Sequence, residues 1–98
     1  MNSITENYKR ILVPIIVKHV PQAKIILYGS RARNDAQEGS DIDIALDMGK
    51  KIEGVTMAKI MQDVEDSDLP IKFDIVDFHI LSEHMQREIL KDGLIWQK

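Results

Sequence analysis

The chain has 98 residues, of which 13 are Lys or Arg and 16 are Asp or Glu, so its formal net charge is −3. Because cysteine is absent, a disulfide scaffold and a Cys-ligated metal centre are excluded. Hydrophobic residues make up 44% of the chain. We expect residues 1–98 to form a single domain with room for one site. The longest apolar run, Ile11–Val17, is too short to cross a membrane, and we expect a cytoplasmic protein.

The first predicted element is a helix near the amino terminus. Ser3 and Glu6 have the spacing of a capping box, which is typical of a helix start. Apolar residues then recur at helical spacing from Tyr8 to Ile16. Because Pro14 removes one backbone hydrogen bond, we expect this helix to be kinked or divided into two short ones.

A strand, a short helix and a second strand are predicted to follow. Lys24–Tyr28 is rich in branched apolar residues, which favours a buried strand. A Gly-Ser pair ends this strand, and Ser30 is suited to cap about one helical turn that reaches Asn34. We expect residues 36–40 to form a loop and Asp41–Leu46 to form the second strand.

The second half of the chain is predicted to repeat this alternation and to end in a short strand. One face of a third helix is predicted from apolar residues at helical spacing, namely Val55, Ala58, Met61 and Val64. Ile71–Phe78 favours a third strand, Gly93 ends a last helix, and Leu94–Trp96 can add a strand or an interface between copies of the chain. Since not every connection contains a full helix, we expect an α+β fold whose mixed sheet carries its helices mainly on one face.

Two aspartates in the second strand are the first chemical signal. Alternate strand residues point to the same side, so Asp41 and Asp43 share one face while Ile42 and Ile44 point into the core. Such a pair can be the solvated face of an amphipathic strand. It can also be a cation site, because Asp is disfavoured in strands and like charges on one face repel each other.

A third carboxylate belongs to the next strand. Asp74 lies among apolar residues, and if its strand pairs beside the second strand it can join Asp41 and Asp43. Three carboxylates within a few ångströms cannot all ionise cheaply without a cation, and hard oxygen ligands suit Mg²⁺ or Mn²⁺. Asp77 points to the opposite face and is interpreted as a strand-end or capping residue.

The Gly-Ser pair at the end of the first strand is a candidate phosphate site. Gly29 lets the backbone approach a ligand, and a helix start beyond it offers free N–H groups. Ser30 can donate a hydrogen bond, and Arg31 and Arg33 supply positive charge on different sides of the short helix. Taken alone, the pair is far more typical of a plain strand–turn–helix junction with a serine cap.

Together these elements form an ordered pattern: a Gly-Ser pair, ten residues, an Asp-x-Asp motif and a later strand carboxylate. In this pattern the chain resembles the DNA polymerase β-type nucleotidyltransferase superfamily, and within it the minimal nucleotidyltransferase branch. The resemblance rests on residues 29–33 (GSRAR), 39–44 (GSDIDI), 73–77 (FDIVD) and 89–93 (ILKDG). It covers most of the chain from Lys24 onward.

The resemblance implies how a nucleotide is held. Gly29 and Ser30 would bind the β- and γ-phosphates of a nucleoside triphosphate, and Arg33 would steady the phosphate charge. Many relatives have glycine where this chain has Asn34, but Asn also tolerates a left-handed backbone, so the departure is mild.

The resemblance also implies the roles of the carboxylates. Asp41 and Asp43 would bind a pair of Mg²⁺ ions, or Mn²⁺ in their place. Asp74 would hold the metal nearest the attacking hydroxyl and help to deprotonate it. The three side chains would thus be both metal ligands and catalytic residues, with ATP as the substrate.

The function implied by the resemblance is transfer of an NMP, expected to be AMP from ATP, to a hydroxyl group. The chain leaves no length for an acceptor-binding domain, so we expect a second chain to present the acceptor. Minimal members of this family look like partners of HEPN-type ribonuclease toxins. The chain would then be the antitoxin and would nucleotidylate a tyrosine of the toxin, with no direct contact to nucleic acid.

Two other functions stay open at this point. One is a binding module that neutralises its partner by contact alone, although simple occlusion does not require three carboxylates. The other is a small-molecule nucleotidyltransferase whose acceptor pocket spans a subunit interface of a homo-oligomer.

Overall fold

The computed structural model describes residues 3–34 and 41–97, apart from the side chains of Ser3 and Ile4. The predicted loop 36–40 and the capping side chain of Ser3 therefore lie outside the described part. The elements are α1 (Ser3–His19), β1 (Lys24–Tyr28), α2 (Gly29–Ala32), β2 (Ile42–Asp47), α3 (Gly54–Asp66), β3 (Phe73–Asp77), a 3₁₀ turn (Phe78–Ile80), α4 (Glu83–Asp92) and β4 (Leu94–Gln97). The predicted order of helices and strands is confirmed.

The strands form a four-stranded sheet in the order β3-β2-β1-β4. β1 is antiparallel to both β2 and β4, whereas β2 and β3 are parallel. The sheet is therefore mixed, as predicted. β1 and β2 are its central strands, and this places the ends of both next to each other for the site described below.

The two longest helices cover one face of the sheet. Leu12 and Ile16 of α1 and Ile60 of α3 are fully buried against strand residues that include Ile25 and Ile44. On the other face a smaller cluster contains Ile26, Ala45, Phe78 and Ile89, the last of which belongs to α4. The helices thus lie mainly on one face, and the opposite face is left partly open beside α4.

Two local predictions need correction. α1 is not divided into two short helices: it continues through Pro14, because Leu12 and Ile16 are both buried in the core and hold the helix on either side of the proline. The kink at Pro14 stays a prediction. The predicted apolar face of α3 is also displaced, since Val55 is 65% exposed and Met61 is 37% exposed. The buried side chains of α3 are Ile60 and Val64, because this helix packs against α1 as well as against the sheet.

The carboxyl-terminal elements lie where they were predicted. α4 begins after Ser82, whose side chain accepts a hydrogen bond from the N–H of Met85, and it ends at Gly93. A Cβ at Gly93 would collide with the side chain of Ile26, so the close approach of α4 to the sheet requires glycine there. In the described part of the chain, no helix is long and apolar enough to cross a membrane.

Candidate active site

Asp43 and Asp74 occupy the same register position of two neighbouring strands. Asp43 of β2 pairs with Asp74 of β3 in the parallel ladder, and neighbouring strands lie only about 4.8 Å apart. The flanking residues Ile42 and Ile44 are fully buried on the helix-covered face. Both carboxylates therefore project from the opposite face, and the predicted meeting of the two strands is confirmed.

Asp41 lies immediately before β2 rather than within it. The strand begins at Ile42, whose N–H donates a hydrogen bond of 3.0 Å to the carbonyl of Lys72. Asp41 is exposed, and it lines the same surface groove as Asp74. The structure thus brings Asp41 near the other two carboxylates, on the side of the edge strand β3.

Gly29 packs directly against Asp43. Its φ of +74° lies in the left-handed region that favours glycine. A Cβ at this position would overlap with Oδ2 of Asp43 and lie 3.3 Å from its carboxyl carbon. The Gly-Ser turn and the Asp-x-Asp motif are therefore in contact, as their combination in the sequence predicts.

Ser30 does not cap a helix. α2 begins at Gly29, its capping position is Tyr28, and no side chain there accepts a hydrogen bond. The prediction of Ser30 as the helix cap is wrong by two positions, because the left-handed backbone of Gly29 starts the turn earlier. Since α2 has only four residues, its dipole is weak, and Ser30 is half-exposed on its first turn.

Arg31 of α2 and Arg33, which directly follows this helix, point in different directions, as predicted. Arg33 lies close enough to Asp43 to lower the pKa of that carboxyl, and its N–H donates to the carbonyl of Gly29 at 3.2 Å. Arg31 instead extends to α1, where its Nη1 donates to Oγ1 of Thr5 at 3.4 Å. Asn34 adopts a φ of 61°, which confirms that Asn supplies the left-handed conformation expected at this position.

The electrostatic state of Asp43 reflects crowding by negative charge. Burial raises the pKa of Asp43, and Asp74 and Asp41 raise it further, against the opposing effect of Arg33. Nearby like charges disfavour the ionised form of a carboxyl group, and a bound cation removes that penalty. The donor set therefore fits a hard divalent cation.

Tyr28 is a member of this site that the sequence analysis missed. It pairs with Asp43 across the antiparallel β1–β2 ladder, so its side chain lies on the same face. Burial, followed by the charges of Asp74 and Asp43, raises its pKa to about 12. The available signal was its position at the end of β1, just before Gly29, which lies opposite the Asp-x-Asp motif in the observed antiparallel register.

The carboxylates of Asp41, Asp43 and Asp74 lie near one another, but they do not form a ready metal site. Within residues 3–34 and 41–97, no three His, Asp or Glu side chains are already grouped closely enough to hold a metal ion. Side-chain rotation about the fixed backbone register of Asp43 and Asp74 is therefore needed to bring their oxygens onto a common ion.

Two cavities flank the carboxylates. One, of about 550 Å³, runs along β3 and includes Asp41 and Asp74 in its wall. The other, of about 310 Å³, lies between α2 and α4 and is lined by Tyr28, Gly29 and Arg33 on one side. The first cavity is therefore bordered by carboxylates together with Lys72, and the second by Gly29 and Arg33 on one side and by Glu88 and Asp92 of α4 on the other.

The residues interpreted as structural have structural contacts. Asp77 is buried and accepts hydrogen bonds from the N–H groups of Ile52 and His79 at 2.7 and 3.0 Å. His79 contacts Asp47 at 2.6 Å, and His19 contacts Asp63 at the same distance. Asp77 is thus the predicted capping residue, and neither of these histidines faces the carboxylate site.

A mixed sheet with paired aspartates beside a Gly-Ser turn defines a nucleotidyltransferase fold. Residues 11–98 match the family described as "Polymerase beta, Nucleotidyltransferase", and the chain belongs to this family. Enzymes of the family generally use a nucleoside triphosphate and a divalent metal.

Two named proteins are similar along most of the chain. One is the "Probable protein adenylyltransferase MntA" of Haemophilus influenzae, which is 28% identical over 90% of this chain and 77% of its own length. The other comes from Methanocaldococcus jannaschii, is likewise named as a protein adenylyltransferase, and is 30% identical over 88% of this chain and 90% of its own length.

Solved structures share the fold. A toxin–antitoxin complex with AMP-PNP superimposes with a TM-score of 0.76 at 21% identity, covering 91% of this chain and 72% of the matched chain. A complex of a tri-AMPylated Shewanella oneidensis HEPN toxin with an MNT antitoxin gives a TM-score of 0.72 at 19% identity, covering 94% and 71%.

Proposed function

We propose that this chain is an antitoxin that transfers AMP from ATP to a tyrosine hydroxyl of a HEPN-type toxin protein, with residues 1–98 acting as one minimal domain in the cytoplasm. The observation that carries the proposal is the position of Asp43, which faces Asp74 on one side and packs against Gly29 on the other. Relatives named as protein adenylyltransferases support the reaction class. A similar fold in a complex with an AMPylated HEPN toxin supports the acceptor.

In this proposal Gly29, Ser30 and Arg33 hold the nucleotide. The left-handed turn at Gly29 presents the backbone N–H groups of α2, and the hydroxyl of Ser30 can donate to a phosphate oxygen. Arg33 lies on the same side of the turn as Asp43 and neutralises phosphate charge. ATP is the nucleotide that the named relatives support.

The carboxylates of Asp41, Asp43 and Asp74 are the proposed ligands of two Mg²⁺ ions, with Mn²⁺ as a substitute. When bound, the metal stabilises charge on the phosphates and lowers the pKa of the acceptor hydroxyl. Asp74 accepts the proton of that hydroxyl, whose oxygen forms a bond to the α-phosphorus. The bond between the α-phosphorus and the bridging oxygen of the β-phosphate breaks, and pyrophosphate leaves.

The test is transfer to the cognate toxin. The chain, the toxin, ATP and Mg²⁺ are incubated together, and the intact mass of the toxin is measured. We expect a gain of one or more AMP groups, which is lost with Asp43→Ala in this chain and with Tyr→Phe at the acceptor position of the toxin.

Neutralisation by contact alone makes the opposite prediction. In that case the toxin gains no mass, and Asp43→Ala inhibits the toxin as strongly as the unchanged chain. A mass gain on a small-molecule acceptor but not on the toxin would reassign the acceptor and leave the reaction class in place.

A further inference from the structure

If the proposed function holds, the order of the site residues across the sheet indicates the side from which the acceptor hydroxyl approaches. Asp43 lies between Asp74 of the edge strand β3 and the Tyr28–Gly29 end of β1. In phosphoryl and nucleotidyl transfer the attacking and leaving oxygens lie roughly in line. Because the leaving pyrophosphate is held at the Gly29 turn, the acceptor hydroxyl enters from the opposite side, across β3.

A groove is present on that side. We call it the β3 groove: it is the cavity of about 550 Å³ whose wall contains Asp41 and Asp74 and whose other lining residues come from α3, the α3–β3 connection and β3. Its apolar part includes Val64, which is buried, and Phe73, which is partly buried. The groove therefore has an apolar floor that leads to two of the carboxylates of the site.

The β3 groove is strongly negative. Among the residues that the structure describes, four carboxylates line it, from Asp41, Glu65, Asp68 and Asp74, against the single cation of Lys72. Glu65 and Asp68 are exposed, and neither forms an ion pair within the described part of the chain. This charge repels a triphosphate or a nucleic acid and attracts a cationic segment.

We propose that the β3 groove docks the segment of the partner protein that carries the acceptor hydroxyl, and that this segment is basic, with Lys or Arg beside the hydroxyl. The nucleotide then occupies the cavity between α2 and α4, where Arg33 and the Gly29 turn lie opposite Glu88 and Asp92 of α4. The two substrates of opposite charge enter from opposite sides of Asp43. Glu65 and Asp68 act by attracting the partner and take no part in bond breaking.

The experiment reverses the charge of the groove outside the site itself. The double variant Glu65→Lys/Asp68→Lys is compared with Glu53→Lys/Asp66→Lys, which makes the same charge change at exposed positions outside the groove lining. For each, the Kd for the cognate toxin is measured by calorimetry at two salt concentrations, together with the KM values for toxin and for ATP. Thermal unfolding verifies that both variants are folded.

We expect the groove variant to bind the toxin at least about tenfold more weakly, to lose most of the salt dependence of binding, and to keep its KM for ATP. The control variant stays within about twofold of the unchanged chain. Equal toxin affinity in the two variants overturns the inference, as does a toxin that the unchanged chain does not bind. A groove variant that changes the self-association of the chain instead assigns the groove to a second copy and also overturns it.

The outcome is separable from that of the proposed function. Toxin binding that depends on the groove without any transfer of AMP contradicts the proposed reaction and leaves the docking surface in place. Transfer of AMP with a toxin KM that the groove variant leaves unchanged contradicts the docking surface and leaves the reaction in place.

Discussion

Asp43 and Asp74 face each other at one register position of the parallel β2–β3 ladder, on the side of the sheet that the long helices leave open. Like charges directly opposite each other on a sheet destabilise it. The pKa of Asp43 is raised because it is buried and because Asp74 and Asp41 are close. The metal-free fold therefore carries an unfavourable interaction that cation binding relieves.

Asp43→Asn is expected to stabilise the metal-free chain while it abolishes transfer. A raised pKa means that Asp43 favours folding below its ordinary pKa, and that this contribution is lost as the pH rises through the raised value. Near pH 7 the variant lacks the unfavourable negative charge at position 43, so it should melt a few degrees higher. A change of about 1 kcal/mol shifts the Tm of such a domain by roughly 4–8 °C. Thermal melts near pH 7 and near pH 3 test this.

Asp66→Asn is the matched control for that comparison, because Asp66 is exposed and its side chain accepts a hydrogen bond from Gln62 of its own helix. The gain of Asp43→Asn should shrink near pH 3, where the native carboxyl is protonated. An Asp43→Asn variant that is less stable than the unchanged chain near pH 7 would show that the carboxylate stabilises the metal-free fold, contrary to this account.

Gly29→Ala should damage both stability and nucleotide binding. The left-handed backbone costs a residue with a Cβ about 1–2 kcal/mol, and here the Cβ also meets the Asp43 carboxylate. Gly49→Ala is a close control, because Gly49 has a φ of +78° but no atom within 4 Å of a Cβ built there. Urea unfolding should give a larger loss for Gly29→Ala, and ATP binding should be lost in that variant alone.

Tyr28 should titrate at unusually high pH. Burial comes first among the causes that raise its pKa to about 12, followed by the charges of Asp74 and Asp43. Absorbance titration in a Tyr8→Phe background isolates its phenol signal. The double variant Asp43→Asn/Asp74→Asn should lower the pKa part of the way toward its ordinary value. An unchanged value would place the two carboxylates too far from Tyr28 to form one site.

The pair of His19 and Asp63 should make the packing of α1 against α3 sensitive to acid. The hydrogen bond from His19 at 2.6 Å lowers the pKa of Asp63. This contribution to folding is present above the ordinary carboxyl pKa and is lost as the pH falls through the lowered value. Asp63→Asn should therefore destabilise the chain near neutral pH and have no effect in strong acid. Urea unfolding across that pH range measures the difference, and an effect that grows with acidity would contradict the assignment.

Local sequence patterns predicted much of this architecture, because strand alternation, strand propensity and helix ends depend on residues that are close together in the chain. The alternation of charged and branched residues around Ile42 and Ile44 predicted which face of β2 is buried. Ordinary strand propensity placed β1, and glycine placed the end of α4. The contact of the Gly-Ser turn with Asp43 was predicted only through the combination of motifs, because neither motif is specific by itself.

Features that depend on tertiary packing were not predictable in the same way. The left-handed turn at Gly29 moved the capping position of α2 from Ser30 to Tyr28. The buried stripe of α3 depends on contact with α1, so the helical pattern alone predicted Val64 correctly but selected Val55 and Met61 in place of Ile60. The β3 groove combines Glu65 and Asp68 with Asp41, and only the pairing of β2 with β3 brings these distant residues together.

The most direct test of the account is the binding of Mn²⁺ to the chain in the presence of a non-hydrolysable ATP analogue, measured by electron paramagnetic resonance titration. We expect the unchanged chain to bind the ion in a nucleotide-dependent manner, and Asp43→Asn and Asp74→Asn each to weaken that binding by at least tenfold, while Asp66→Asn leaves it unchanged. Equal Mn²⁺ affinity in the unchanged chain and in both site variants would contradict a metal site shared by β2 and β3.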